Sequence, residues 1–298
     1  MYGYDARRQD SERAVESRRT VGVAITGGTG FIGSHLARAV PDAHLFPYPD
    51  FQDLRNLKDT QEFVDLWKPE VVYHLAAQSV VTVDDDIQTL DTNVSGTYNL
   101  LHACRSNKNL KSFVHVSTDK VYGYGTVKRD SPLRGFGHLY NTSKLCGDAI
   151  AQMYSNHYGL PVRIIRTGNI YGPGDMHSDR IVPGTIKATL EGRPIELRSN
   201  GNFMRDYIYI SDLIPAYLRI ANERPGIYNL GGISCSAIDI VRTILRLMGR
   251  EDLEPIILNN QKDELSFQHV TDCPDWWQPS VGLEEGLRAT IKWHSDRE

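Results

Sequence analysis

An α/β fold, in which a doubly wound parallel sheet carries a smaller mixed α/β lobe, is what three features of this chain predict. Short apolar runs alternate with longer amphipathic ones from residue 21 to residue 165. A glycine-rich turn, Gly27-Gly28-Thr29-Gly30-Phe31-Ile32-Gly33, joins the first apolar run to the first amphipathic one. Beyond Arg166 the rhythm becomes irregular, which marks a second kind of lobe.

Residues 21–25 form the first predicted strand, apolar enough to be buried on both faces. Residues 31–40 form the helix that follows it. A short second strand near residues 43–46 leads into Pro47 and Pro49, and a helix over 56–67 precedes Pro69. Residues 70–75 are a third strand, 87–106 one long helix, and 111–117 a fourth strand. After a loop rich in glycine and proline, residues 140–158 repeat the helical pattern and 161–165 form a fifth strand. Strands that alternate with helices in this way build a parallel sheet, with ligands at its strand carboxyl ends.

In the second part of the chain, helices are expected near residues 181–191, 211–221, 236–248 and 283–294, with strand character at 195–198. The predicted division is a polar extension over residues 1–18, a dinucleotide-binding domain over 19–165 and a substrate-binding lobe over 166–298. No repeat or low-complexity linker separates the two lobes.

Composition narrows the function classes. With 298 residues, 40% hydrophobic and 23% charged, the chain has the material for a large buried core. A net charge of -4 creates no field that would attract nucleic acid or an anionic membrane, so neither is an expected partner. Cys104, Cys146, Cys235 and Cys273 are widely spaced, with no CxxC pair, and are expected to be reduced thiols of a cytoplasmic protein without a metal site. Residues 1–18 lack the apolar centre of a signal peptide, and no run approaches the ~20 apolar residues that span a bilayer.

The chemistry-bearing residues fall into four groups. Gly27, Gly30 and Gly33, spaced GxxGxxG between a strand and a helix, suit a dinucleotide pyrophosphate: bare backbone lets it approach, and the helix N-terminus offers free amides. An acidic residue to hold the adenosine ribose should follow the second strand, and Asp50 and Asp53 are the candidates. No Arg directly follows that strand, which favours NAD over NADP.

Tyr140 and Lys144, four apart at the start of a helix, share one face. An ammonium beside a phenol favours phenolate, which would let Tyr140 act as a general base on a sugar hydroxyl. Ser117-Thr118-Asp119-Lys120 lies just past the fourth strand, where such a sheet places its chemistry. There Thr118 would hydrogen-bond the hydroxyl being oxidised, and Asp119 would donate a proton to a leaving group. Lys120 would exchange a proton or stabilise an enolate as a cation. Asn169 and Arg205 are polar residues beside apolar stretches of the second lobe, and an Arg fork suits pyrophosphate.

Together these residues resemble the extended short-chain dehydrogenase/reductase family that acts on nucleotide sugars. Thr26 to Gly33, His74-Leu75-Ala76-Ala77, Asn93-Val94-Ser95-Gly96 and the Tyr140/Lys144 pair carry the likeness, over residues 21–294. The resemblance implies a Rossmann lobe with bound NAD and a nucleotide-sugar lobe. It implies cofactor contacts from the glycine loop including Thr29, Phe31 and Ile32, from Asp53 and Leu54, from Leu75, Ala76 and Ala77, and from Asn93, Tyr140 and Lys144. It places Gln78, Thr118, Asn169, Arg180 and Arg205 against the nucleotide-diphosphate sugar. It also implies a homodimer, through helices over 87–106 and 140–158.

Within that family the chain looks most like the 4,6-dehydratases, and among them the CDP-glucose type. His74 to Gln78, Ser117 to Tyr122, Thr167 to Asp175, Asp179 to Pro183 and Ile291 to His294 are the pointers. The likeness implies oxidation at sugar C4 by Tyr140, loss of water from C5–C6 with Asp119 as acid, and hydride return to C6. Many 4,6-dehydratases carry Glu after that Asp; Lys120 stands there instead, as in the CDP-glucose type. A 4-epimerase on the same scaffold is the alternative, and it would need neither a C5 base nor a C6 acid. A net reductase and a non-catalytic NAD-sensing module are further alternatives, and the intact Tyr140 and Lys144 count against the latter. The region over 41–53 is shorter than is usual in the family.

Overall fold

The computed structural model describes residues 22–46, 53–79, 85–260 and 266–297. The expected N-terminal extension over 1–18, and Asp50, lie outside the described residues.

A six-stranded parallel sheet forms the centre. Its strands are β1 (Val23–Thr26), β2 (His44–Phe46), β3 (Val71–His74), β4 (Ser112–Val116), β6 (Val162–Thr167) and β10 (Gly226–Leu230), with β5 (Gly125–Val127) paired elsewhere. The order across the sheet is β10-β6-β4-β3-β1-β2. From β1 the chain moves outward to β2, then returns to the other side of β1 as β3. The direction of winding therefore reverses between β1 and β3, and a crevice opens at their carboxyl ends.

Both faces of this sheet are covered, as the continuous apolar runs required. Alternate side chains Ala24, Val72, Phe113 and Ile164 pack on one face against Leu100, Leu101, Ala151 and Tyr154. Their neighbours Ile25, Tyr73, Val114 and Ile165 pack on the other against Leu36, Leu213, Tyr217 and Ile220. A parallel sheet between two helical layers is thus the Rossmann-type arrangement.

A single cut at residue 165 does not contain this sheet. Strand β6 runs on to Thr167, and the edge strand β10, which pairs with it from Gly226↔Arg163 to Leu230↔Thr167, comes from the second part of the chain. Its run Gly226-Ile227-Tyr228-Asn229-Leu230 is too short and too polar to stand out by periodicity alone.

The smaller lobe holds a mixed three-stranded sheet, β7 (Asn169–Tyr171), β9 (Met204–Tyr209) and β11 (Ile233–Ser236), in the order β11-β9-β7. Its core joins Tyr171 and Tyr207 to Val182, Ile186, Ile240, Ile244 and Leu287. The lobes are sewn together locally: His35 Nε2 lies 2.7 Å from the Pro173 carbonyl oxygen.

One predicted helix differs from its expected form. The stretch read as a single helix over 87–106 is α-helical over Asp86–Leu90, π-helical over Asp91–Ser95 and α-helical again over Gly96–Arg105. Such a wide turn is a recurrent device near functional sites. Here it carries Asn93, whose Oδ1 accepts from Gln78 N at 2.7 Å while Nδ2 donates to the Gln78 carbonyl at 3.0 Å and to Ser143 Oγ at 2.8 Å.

Candidate active site

The crevice at the switch point is a cavity of about 980 Å³, and it reaches from the glycine turn to the second lobe. Its size suits a dinucleotide and a second ligand side by side. Of the described residues given a site role from sequence, all but Asn93 and Asp119 line it.

The glycine turn forms one wall. Gly27 has φ 70°, and a Cβ there would lie 2.7 Å from Ala76 N. At Gly33 a Cβ would lie 2.0 Å from the Gly27 carbonyl oxygen, which excludes any side chain. The first helix, α1 (Phe31–Ala39), starts at this turn with no acidic residue in its first turn, so its free amides face the cavity unopposed. The opposite wall of the turn is Leu75-Ala76-Ala77, set by Thr26 Oγ1, which accepts from Ala76 N at 3.2 Å. Backbone this bare and amides this free fit the pyrophosphate of a dinucleotide such as NAD.

Further along, Asp53 and Leu54 line the cavity as expected. The Asp53 carboxylate is held by Arg55, with Nη2 at 2.6 Å and Nε at 2.8 Å from Oδ2. That hydrogen bonding pulls the Asp53 carboxyl below its ordinary range. Arg55 was not foreseen, and its spacing two residues from the acid is the only signal that could have found it.

Asn93 does not face the cofactor cavity. All of its polar groups clamp Gln78 to Ser143, so it shapes the wall from behind.

The chemistry-bearing groups converge between the lobes. Tyr140 and Lys144 lie on the first turns of the helix α5 over Leu139–Tyr158, taking α2 as Leu57–Trp67, α3 as Asp86–Leu90 and α4 as Gly96–Arg105. His138, which caps this helix by accepting from Tyr140 N at 3.2 Å, also lines the cavity. Histidine is a rare cap, and nothing in the sequence marked it.

The electrostatics differ from the sequence expectation. Burial pushes the Tyr140 phenol up to about 12, and Asp119 pushes in the same direction. Arg180 and a hydrogen bond with Thr118 pull it back only in part. Burial likewise pulls Lys144 down to about 8, against the opposing influence of Asp148. Lys144 Nζ donates to the Val116 carbonyl oxygen at 2.7 Å. In the cofactor-free site burial is thus the largest influence on both groups.

Thr118 caps a short 3₁₀ turn over Asp119–Val121 after β4, its Oγ1 accepting from Lys120 N. Thr118 Oγ1 donates to Asp119 Oδ1 at 3.1 Å, and Lys120 Nζ meets the same oxygen at 3.0 Å. Asp119 is 1% exposed and sits beneath its neighbours, while Thr118 and Lys120 reach the cavity. Asp119 Oδ2 is buried without a hydrogen-bond partner among the described residues.

Arg180 spans the mouth of the site. Its Nη1 meets Asp175 Oδ1 at 3.1 Å, and its Nη2 donates to Ser79 Oγ at 3.1 Å. Asn169 and Arg205 line the second-lobe side, with Arg205 Nη1 donating to the Met204 carbonyl at 2.8 Å. Among the described residues no group of His, Cys, Asp and Glu could hold a metal ion, and no helix is long and apolar enough to cross a membrane.

A family model described as the NAD dependent epimerase/dehydratase family matches residues 23–231. The chain belongs to this family.

Within the family it is 30% identical to a probable dTDP-glucose 4,6-dehydratase of Sinorhizobium fredii, over 91% of this chain and 92% of that one. It is 28% identical to a dTDP-glucose 4,6-dehydratase of Haemophilus influenzae, over 91% and 97%. Two solved family structures superpose closely. DesIV, a dTDP-glucose 4,6-dehydratase of Streptomyces venezuelae with NAD bound, matches at TM-score 0.82 and 25% identity, over 92% of this chain and 97% of that one. A Thermus thermophilus UDP-glucose 4-epimerase in complex with NAD matches at TM-score 0.79 and 27% identity, over 92% and 98%. These family members are named for dTDP- and UDP-glucose, not for the CDP-glucose to which Lys120 pointed.

Proposed function

We propose that this protein is a nucleotide-sugar 4,6-dehydratase that works with catalytic NAD. The observation that carries this reading is the Thr118-Asp119-Lys120 turn: Thr118 and Lys120 reach the cavity beside Tyr140, and the Asp119 carboxylate beneath them is bonded to both. An enzyme that only oxidises and re-reduces C4 needs the tyrosine; elimination also needs groups that move protons at C5 and C6.

Gly27, Gly30 and Gly33 would cradle the pyrophosphate of NAD, with Asp53 and Leu54 toward the adenosine. Bound there, NAD supplies a hydride acceptor that returns the same hydride at C6. Tyr140 takes the proton of the C4 hydroxyl, and Thr118, hydrogen-bonded to the phenol, orients that hydroxyl. A 4-keto group acidifies the C5 proton. Lys120 Nζ serves this step, either receiving the proton as an amine or stabilising the enolate as a cation. Asp119 gives the proton with which the C6 hydroxyl departs as water. Arg205 and Asn169 hold the nucleotide diphosphate, and Arg180, beside Tyr140, and Gln78 close on the sugar.

The nucleotide is the finer point. Lys120 in place of a common Glu supports CDP-glucose, whereas the names of the relatives support dTDP-glucose. Incubation with CDP-, dTDP- and UDP-glucose, followed by mass spectrometry, tests both reading and base. Loss of one water marks the dehydratase. A changed sugar configuration at unchanged mass would mark a 4-epimerase instead.

A homodimer is part of this proposal. Ile87, Tyr98, Met153 and Tyr158, on α3, α4 and α5, expose large apolar surface. Sedimentation should give the mass of two chains, and a monomer would refute it.

A further inference from the structure

Lys120 is held by a residue that lies 148 positions away in sequence. Gln268 belongs to the strand β13 (Gln268–Val270), which runs parallel to β5 beside the catalytic turn, with β8 (Glu196–Leu197) and β12 (Ile256–Ile257) paired in the second lobe. It is fully buried. Its Nε2 donates to the Asp119 and Gly123 carbonyl oxygens, both at 2.8 Å. Two amide hydrogens meet two backbone acceptors, so the backbone itself dictates which way the amide faces. Oε1 is left pointing at Lys120 Nζ, 2.9 Å away.

A lysine side chain has several rotatable bonds and loses rotamer entropy when immobilised. Lys120 reaches the cavity with its side chain only 19% exposed, and two acceptors fix its nitrogen: Gln268 Oε1 and Asp119 Oδ1. Both are acceptors, an arrangement that an ammonium satisfies better than an amine. The strand that supplies Gln268 is in turn anchored to the nucleotide side of the site. Asp206, next to Arg205 on β9, accepts from Val270 N at 2.9 Å and lies 2.8 Å from His269 Nδ1.

We propose that Gln268 is a positioning residue: it sets the Lys120 nitrogen in the cleft, and its strand ties the catalytic turn to the strand that carries Arg205. This inference rests on the role given to Lys120 above. Gln268 touches neither substrate nor cofactor and acts through Lys120.

The test separates tether from function. In the full-length protein, the rate at which acetic anhydride modifies Lys120 is read by mass spectrometry for wild type, Q268M and Q268E. Q268M removes the acceptor at similar volume, and Lys120 should react about tenfold faster, the scale of one lost hydrogen bond to a charged group. Q268E keeps an acceptor and should leave Lys120 protected. Unchanged labelling in a folded Q268M, or equal labelling in the two variants, would overturn the tether. If wild type releases no water from any NDP-glucose, the dehydratase reading fails, and the labelling still decides the tether.

Activity then decides the consequence. Q268M should slow elimination about 10- to 100-fold, within the scale of general acid–base effects, while the oxidation half-reaction, followed by nicotinamide reduction, changes much less. In a K120M background Q268M should cause no further loss, because it acts through the missing group. Additive losses in the double variant, or oxidation and elimination slowed in equal measure, would show a merely structural role.

Discussion

Lys144 Nζ donates to the Val116 carbonyl oxygen at 2.7 Å, across the end of the fourth sheet strand. The bond locks the lysine to the sheet rather than to Tyr140, four residues before it on the same helix. Burial raises the Tyr140 phenol to about 12 in the cofactor-free site.

Tyr140→Phe should therefore lower the oxidation half-reaction by about 10³-fold or more, the range of a lost acid–base group, while NAD binding measured calorimetrically is nearly unchanged. Retention of hydride transfer in this variant would move the acid–base role to another group.

Lys144 itself should titrate near 8 in the cofactor-free protein, well below a free lysine. Because the native group binds its proton more weakly than the unfolded one, the unfolded state carries more protons between about 8 and about 10.4. Stability should thus rise with pH across that window by this contribution. A ¹³C-methylated Lys144 followed by NMR gives the titration directly, and a midpoint above 10 would contradict the burial argument.

His115 is a second buried base, with both ring nitrogens lacking partners among the described residues. Burial holds it, and His74 beside it, well below their ordinary values, with Lys144 adding to the effect on both. The unfolded chain takes up protons below about 6.5 that the native chain refuses, so stability is lost as pH falls below that point. His115→Leu should flatten this acid limb by up to about 1.4 kcal/mol per pH unit, read from urea unfolding at several pH values. An acid limb of unchanged slope would show that His115 is not its source.

Arg166 and Asp148 form a buried pair with two contacts, 2.7 and 2.9 Å, and Ser117 Oγ also donates to Asp148 at 2.7 Å. Arg166→Met should cost about 3–5 kcal/mol, since it strands a carboxylate in the interior behind Lys144. Adding Asp148→Leu should recover part of that loss. Thermal or denaturant unfolding of the single and double variants checks both statements.

In the glycine turn, two neighbouring positions should behave oppositely. Gly33→Ala would drive a methyl into the Gly27 carbonyl, and NAD affinity should fall by at least about tenfold. Gly28→Ala meets only the tip of the Leu45 side chain, which can turn aside, so affinity should stay within about threefold. Equal losses at the two positions would show that backbone approach is not what the turn provides.

The parallel sheet was legible because its strands are buried on both faces and are written as short apolar runs such as Val23 to Ile25. The glycine turn was legible because its backbone requirement excludes side chains at named positions. Edge strand β10 and the strand of Gln268 were not. Each is short, and each is stabilised by partners far along the chain, so no local period records it. The π-helical turn around Asn93 was hidden for the same reason, since the clamp on Gln78 and Ser143 that favours it is tertiary.

By itself the sequence determined a doubly wound sheet, a dinucleotide turn, and the candidate groups for moving protons: Tyr140, Asp119 and Lys120. Those properties follow from local backbone needs and side-chain chemistry. Only the tertiary structure decided how these groups are poised. Burial raised Tyr140 and lowered Lys144, and Lys144 was turned onto Val116. Gln268, from the far end of the chain, came to rest on Lys120. Desolvation and hydrogen-bond partners are set by what packs around a residue, and that is fixed only when distant segments meet.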